Sequence, residues 1–172
     1  MNRRELESLL LTLESTPALV ARAAQGLTPA QVRQGPGNSA FSFVEHVWHL
    51  ADIEREGYGV RIRRILSEDV PSLSDFEGER IARERCYLRR DLAEGLAAFA
   101  AARERNVAKL RSVRHSDWGR RAAQDGIGAL TLEDLPRMMA SHDRSHTAEI
   151  AALLGFLREG RPYRARQSSA VA

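Results

Sequence analysis

Two histidines four residues apart, His142 and His146, sit in the apolar stretch MMASHDRSHTAEIAALLGFL, residues 138–157. On an α-helix each residue advances about 100°, so the two rings lie about 40° apart and about 6 Å along the axis, within reach of one point. With His142 at zero on a helical wheel, Leu135, Met139, Leu153 and Leu157 fall within about 60° on the side of His146, and Met138 and Phe156 lie close on the other. Both imidazoles therefore point towards the core, where an unsatisfied polar group costs roughly 1–3 kcal/mol. A divalent metal would satisfy both at once. Glu149 lies about 20° from His142 on the same wheel, which leaves three roles open: ligand, acceptor of an imidazole proton, or base.

A catalytic metal site needs a further protein ligand and an open position. The source is the segment EHVWHLADIE, with His46 and His49 three residues apart. Neither is central to that helix's main apolar arc of Val47, Ala51, Tyr58, Ile62 and Ile65. His49 shares a second line with Ile53 and Val60, so the helix is expected to bury two faces. The alternative is a set of core histidines bonded to carbonyls or carboxylates; the paired spacing beside a second His-rich helix favours metal. His115, in SVRHSDW, has no such setting and reads as a surface residue. HDRSH has the spacing of a zincin motif, but Asp143 stands where the catalytic glutamate is required. Di-iron chemistry needs Glu-x-x-His on two helices, and Asp143 with His146 supplies one imperfect copy.

Four helix-period segments would position these residues, and none shows the strict alternation of a half-buried strand. The first runs from about Asn2 to Gln25, with Thr16-Pro17 kinking it or capping a continuation. The second opens on a capping box, Ser42 with Glu45, and continues to about Ser67. The third spans Leu88 to Val113, with Leu92, Leu96, Phe99, Val107 and Leu110 as its apolar positions. The fourth opens at Thr131 and runs to about Arg158, before Gly160, with Pro136 in its first turns. Long connections between the second and third and between the third and fourth predict an all-α four-helix bundle that is not simply up-down-up-down. Residues 1–160 form a single domain on this reading, and 161–172, GRPYRARQSSAVA after its glycine, a loose tail.

Composition excludes several classes. At 172 residues with 43% hydrophobic and 28% charged residues, the chain suits one soluble domain, without an apolar run of about 20 residues to span a bilayer. No membrane association is expected. No signal peptide is evident, so the expected location is cytoplasmic. The net charge is +3, with Lys109 the only lysine among 26 basic residues. That basicity is mixed with acids throughout, and no nucleic acid is expected as partner. Cys86, the only cysteine, excludes an internal disulfide and a multi-cysteine zinc site, and reads as a passive, partly buried thiol.

Two stretches carry a family resemblance. FSFVEHVWHLADIE resembles the W-S-x-x-E-x-x-x-H-L-A-D helix of the DinB-like metal-binding bundles, and LTLEDLPRMMASHDRSHTAEI resembles their last helix, which carries H-D-x-x-H followed by Gln. Phe41 stands where that family has tryptophan, and Glu149 where it has glutamine. The resemblance implies a four-helix bundle of unusual topology, commonly a homodimer. It also implies three histidine ligands, His49, His142 and His146, choosing His49 where spacing alone does not. His46 is left as a candidate for the wall of the site. The cofactor implied is a divalent metal, zinc or nickel, with iron or manganese as alternatives. Some relatives are transferases that use low-molecular-weight thiols, so the leading expectation is a metal-dependent S-transferase joining such a thiol to a small electrophile. The alternative is a non-catalytic, stress-associated homodimer that binds metal or ligand.

Overall fold

The structure, a computed structural model, describes residues 2–37 and 40–164. The first helix, α1 (Arg3–Ala23), is capped by the Asn2 side chain, which accepts the Glu5 N–H at 2.8 Å. It buries Leu10, Leu13, Thr16 and Val20, one stripe at helical spacing. Pro17 lies inside the helix and does not end it. In a regular turn residue 17 would donate to the Leu13 carbonyl; proline has no N–H, and that carbonyl instead accepts from the Arg103 guanidinium at 2.9 Å.

The second rod is helical throughout but not uniform. Helix α2 (Phe43–Asp52) opens on the expected box, the Glu45 carboxylate accepting the Ser42 N–H at 2.8 Å and its hydroxyl at 2.6 Å. A π-helical stretch, Ile53–Tyr58, follows, and then α3 (Gly59–Ser67). Almost every residue of α2 is buried, more than the two faces that periodicity predicted. Gly95 allows that depth: a Cβ there would come within 2.9 Å of both Val47 and the Trp48 indole nitrogen.

The connections hold more structure than their sequences announce. A short helix, α4 (Gly78–Glu84), precedes the third rod, α5 (Leu92–Arg111), whose N-cap is Asp91, so the expected start at Leu88 is four residues early. Three short strands, β1 (Ser72–Leu73), β2 (Arg121–Gln124) and β3 (Gly128–Thr131), form a small sheet in which β1 is parallel to β2 and β2 pairs antiparallel with β3. No strand was expected because these runs are too short, and too poor in β-branched residues, to display a period of two. The last rod, α6 (Asp134–Glu159), starts three residues after Thr131, whose N–H and hydroxyl both donate to Asp134. It stops at Gly160, in the left-handed conformation at φ +63°.

The four rods, α1, α2 with its π-stretch and α3, α5, and α6, close a ring: α1 packs on α5 and α6, and α2 packs on the same two. This is an all-α four-helix bundle with a minor sheet. Two apolar clusters fill it, one around Leu13, Ile62, Leu110 and Met139, the other around Phe43, Tyr87, Phe99 and Leu153. Among the described residues, no helix is long and apolar enough to cross a membrane. Cys86 corrects one expectation: it is exposed, at φ +50° between α4 and the Tyr87–Arg89 turn, because the chain reverses there with its side chain outward. Of the expected tail, residues 165–172 lie outside those described, while Tyr163 packs partly buried against the second cluster.

A buried ionic cluster crosses the bundle. The Arg103 guanidinium donates to both Asp143 oxygens at 2.6 and 2.8 Å and to Glu54 at 2.9 Å, and Asn106 donates to the other Glu54 oxygen at 2.8 Å. Burial raises the Glu54 pKa against the opposing pull of Arg103 and Asn106. Arg103→Met would leave two carboxylates buried without their cation. The expected loss of stability in urea unfolding is about 3–5 kcal/mol, whereas Arg111→Met, at an exposed ion pair with Glu7 and Glu14, should change it little. Equal small losses from both would remove Arg103 from its structural role.

Candidate metal centre

Helices α2 and α6 bring three imidazoles to one point. His49 Nε2 lies 3.1 Å from His142 Nε2, and His146 Nε2 lies 3.1 Å from the same atom. Nitrogens about 2.0–2.1 Å from a tetrahedral zinc would stand roughly 3.3 Å apart, so the donor set has the spacing of a metal triad. His46, which spacing could not separate from His49, turns its Nδ1 to His146 Nδ1 at 3.2 Å instead.

Proton counting sharpens the fit. The Glu149 carboxylate lies 3.0 Å from His146 Nδ1, so that nitrogen carries the proton and His146 Nε2 presents a lone pair inward. A neutral imidazole has one donor and one acceptor. Two contacts meet at His142 Nε2, and with His146 offering only a lone pair they cannot both be hydrogen bonds between neutral rings unless one proton is shared. A shared cation would resolve the conflict. Burial, followed by the proximity of the neighbouring histidines, holds His142 and His46 well below the usual imidazole range and His49 at about 3.

A second donor set, His46, His146 and Glu149, is also compact. It shares His146, whose Nδ1 is committed to the Glu149 carboxylate, so these two residues hold His146 from behind the first set. Of Glu149's three open roles, the geometry favours the acceptor of an imidazole proton.

Several contributors carried no sequence signal. Phe41 meets the rings of His46 and His49 at 5.5 Å, Phe76 meets His49 at 5.9 Å, and Tyr58 meets His142 at 6.1 Å, giving the cluster an aromatic surround. Phe41 thus packs directly against the site. Asp143, set aside as a defective base, is the Arg103 partner; it lies about 20° from Ile150 on the wheel, and that alignment with a core residue was the available signal. His115 is exposed in a short turn between α5 and β2, as expected.

Gly78, the first residue of α4, touches the site through its missing side chain. A Cβ there would lie 2.5 Å from His49 Cε1 and 2.7 Å from its Nδ1. Its backbone φ is ordinary, so Gly78→Ala is opposed only by the ring. We expect a folded variant whose affinity for zinc, measured by competition with a chromophoric chelator, falls roughly 10–100-fold; unchanged affinity would show that the ring is not held there. A second expectation concerns pH. Well above pH 6.5, His46, His49 and His142 are neutral in both folded and unfolded chains and contribute no pH dependence. Below it the unfolded chain binds protons that His46, His49 and His142 refuse when folded, so metal-free protein should lose stability as pH falls from 6.5 towards 3. Urea midpoints that stay flat over that range would contradict the buried, neutral assignment.

The family model of the DinB superfamily matches residues 12–150. No curated protein matches the sequence. Among solved structures, YfiT from Bacillus subtilis, described as "a probable metal-dependent hydrolase with an unusual four-helix bundle topology", aligns at a TM-score of 0.83 over 93% of this chain and 90% of that one, with 22% sequence identity. That likeness establishes the shared fold.

Proposed function

The chain belongs to the DinB superfamily, and from that premise we propose that it is a metal-dependent enzyme that activates a low-molecular-weight thiol for attack on an electrophile. The observation that carries the metal reading is the convergence of the His49, His142 and His146 Nε2 atoms on one point. A divalent ion held by His49, His142 and His146 would lower the pKa of a coordinated thiol or water and polarise a carbonyl.

The chain's own residues prepare that chemistry. His49 and His142, kept neutral by burial, present lone pairs without first losing a proton at neutral pH. Glu149 holds the His146 proton on Nδ1 and leaves its inner nitrogen free to ligate. Phe41, Phe76 and Tyr58 limit the approach of water from the sides they cover. A three-histidine donor set suits zinc or nickel, with iron or manganese as the alternatives. The expected homodimer belongs to the proposal as well. A hydrolytic reading, with water in place of the thiol, takes its support from the description of YfiT.

The test uses protein purified without a polyhistidine tag, stripped with chelator and reloaded separately with zinc, nickel, manganese and ferrous iron. Each form is assayed with several small thiols and an aryl halide, and with an activated ester without thiol, while light scattering reads the oligomer. The expected result is metal-dependent loss of thiol that His49→Ala and His142→Ala abolish together with metal content. Ester cleavage without thiol would replace transfer with hydrolysis. Metal binding without either would leave a non-catalytic binding protein, and unchanged metal content in both variants would remove these histidines from the site.

A further inference from the structure

Arg61, on α3, is only 3% exposed, yet its charge is poorly matched. One Nη2 contact reaches the Ser74 carbonyl at 3.5 Å, and the Asp75 carboxylate stands 3.8 Å away, beyond hydrogen-bond length. Its Nε and Nη1 are buried without a hydrogen-bond partner. The other buried charges differ. Asp52 accepts from Arg55, Arg85 and Tyr87, and Arg103, although its Nε also lacks a partner, donates through both terminal nitrogens to the Glu54 and Asp143 carboxylates. A buried guanidinium short of acceptors is costly, and such a cost is retained most readily where a ligand completes the set.

The same side chain lines a recess of about 120 Å³ with Ser74, Asp75 and Phe76. A single water needs roughly 10–15 Å³ by this measure, so a small oxyanion has room. Two of the other charged groups on the recess are engaged elsewhere. Glu56 is held at a pKa of about 2 by hydrogen bonds from Arg85 and Arg55, and Arg64 is paired with Glu68 by two bonds. Asp75, nearly half exposed, accepts the Phe76 N–H.

We propose that Arg61 binds an oxyanion in this recess, the carboxylate or phosphate group of a small anionic ligand. The recess is one layer of side chains from the histidine cluster: Phe76 lines it and packs against His49, and Tyr58 lies between Arg61, at 5.5 Å from its ring, and His142. The anion anchored there therefore belongs to the substrate of the metal centre. That last step rests on the function proposed above; the anion site does not.

Binding is tested on the full chain stripped of metal, so that no anion can be held by the ion. Inorganic phosphate and acetate are titrated separately by calorimetry, against sodium chloride at matched ionic strength. At least one should bind saturably, and the stronger of the two identifies the class of group. Arg61→Met should weaken that binding at least about tenfold, the loss expected when charged hydrogen bonds are removed, while His142→Ala leaves it unchanged. Asp75→Asn, which removes the competing carboxylate, should tighten it. Should Arg61→Met fail to fold by circular dichroism, the Asp75→Asn result decides, tighter binding supporting the site and unchanged binding overturning it. Saturation by neither anion, the same affinity in a folded Arg61→Met, or loss in His142→Ala would also overturn it. Failure of the metal assays alone would leave these titrations standing.

Discussion

One guanidinium touches all four rods of the bundle. Arg103 of α5 donates to the Leu13 carbonyl of α1, to Glu54 of the π-stretch and to Asp143 of α6, and it is almost wholly buried. Apolar side chains tolerate a shifted neighbour, but buried charges do not: sliding any rod by one turn would strand a carboxylate or the cation in the core. Asp143 is the residue after His142. The contact that sets the height of α6 therefore also sets the height of its histidines opposite His49.

Two irregularities of the backbone make this junction. Pro17 withholds an N–H and so leaves the Leu13 carbonyl open to Arg103. The π-stretch widens the second rod just after His49 and Asp52, where Glu54 turns to Arg103 and Tyr58 to His142. Such local departures from the α-helix are common at functional sites because they re-aim side chains that a regular turn would direct elsewhere. Here they aim one charge and one aromatic ring at neighbouring levels of the same interior.

The histidine cluster and the ionic cluster solve the problem of buried polarity in opposite ways. Glu54 and Asp143 are each paired directly with the Arg103 guanidinium. His46, His49 and His142 are driven neutral by burial and by one another. The first arrangement pairs each charge with an opposite one. The second leaves inward nitrogens whose hydrogen bonds do not all close, and Arg61, a short distance away, is likewise incomplete.

The sequence by itself determined the four helical rods, the Ser42–Glu45 cap, the terminal glycine of α6 and the shared face of His142 and His146. These are local properties, written in a 3.6-residue period and in residue types at fixed offsets. The small sheet and α4 escaped because their runs are too short for a period to emerge. Resemblance, not spacing, pointed to His49, since His46 and His49 are equivalent until α2 is placed against α6. Tertiary structure alone decided the rest: His46 behind His146, Glu149 on its outer nitrogen, Gly78 under the His49 ring, and Asp143 paired across the core. Each depends on the height and rotation of one helix against another, and those are set by Arg103 and its partners, which lie 40 to 90 residues apart along the chain. No local pattern carries that information, because the energy that fixes it is released only when the four rods meet.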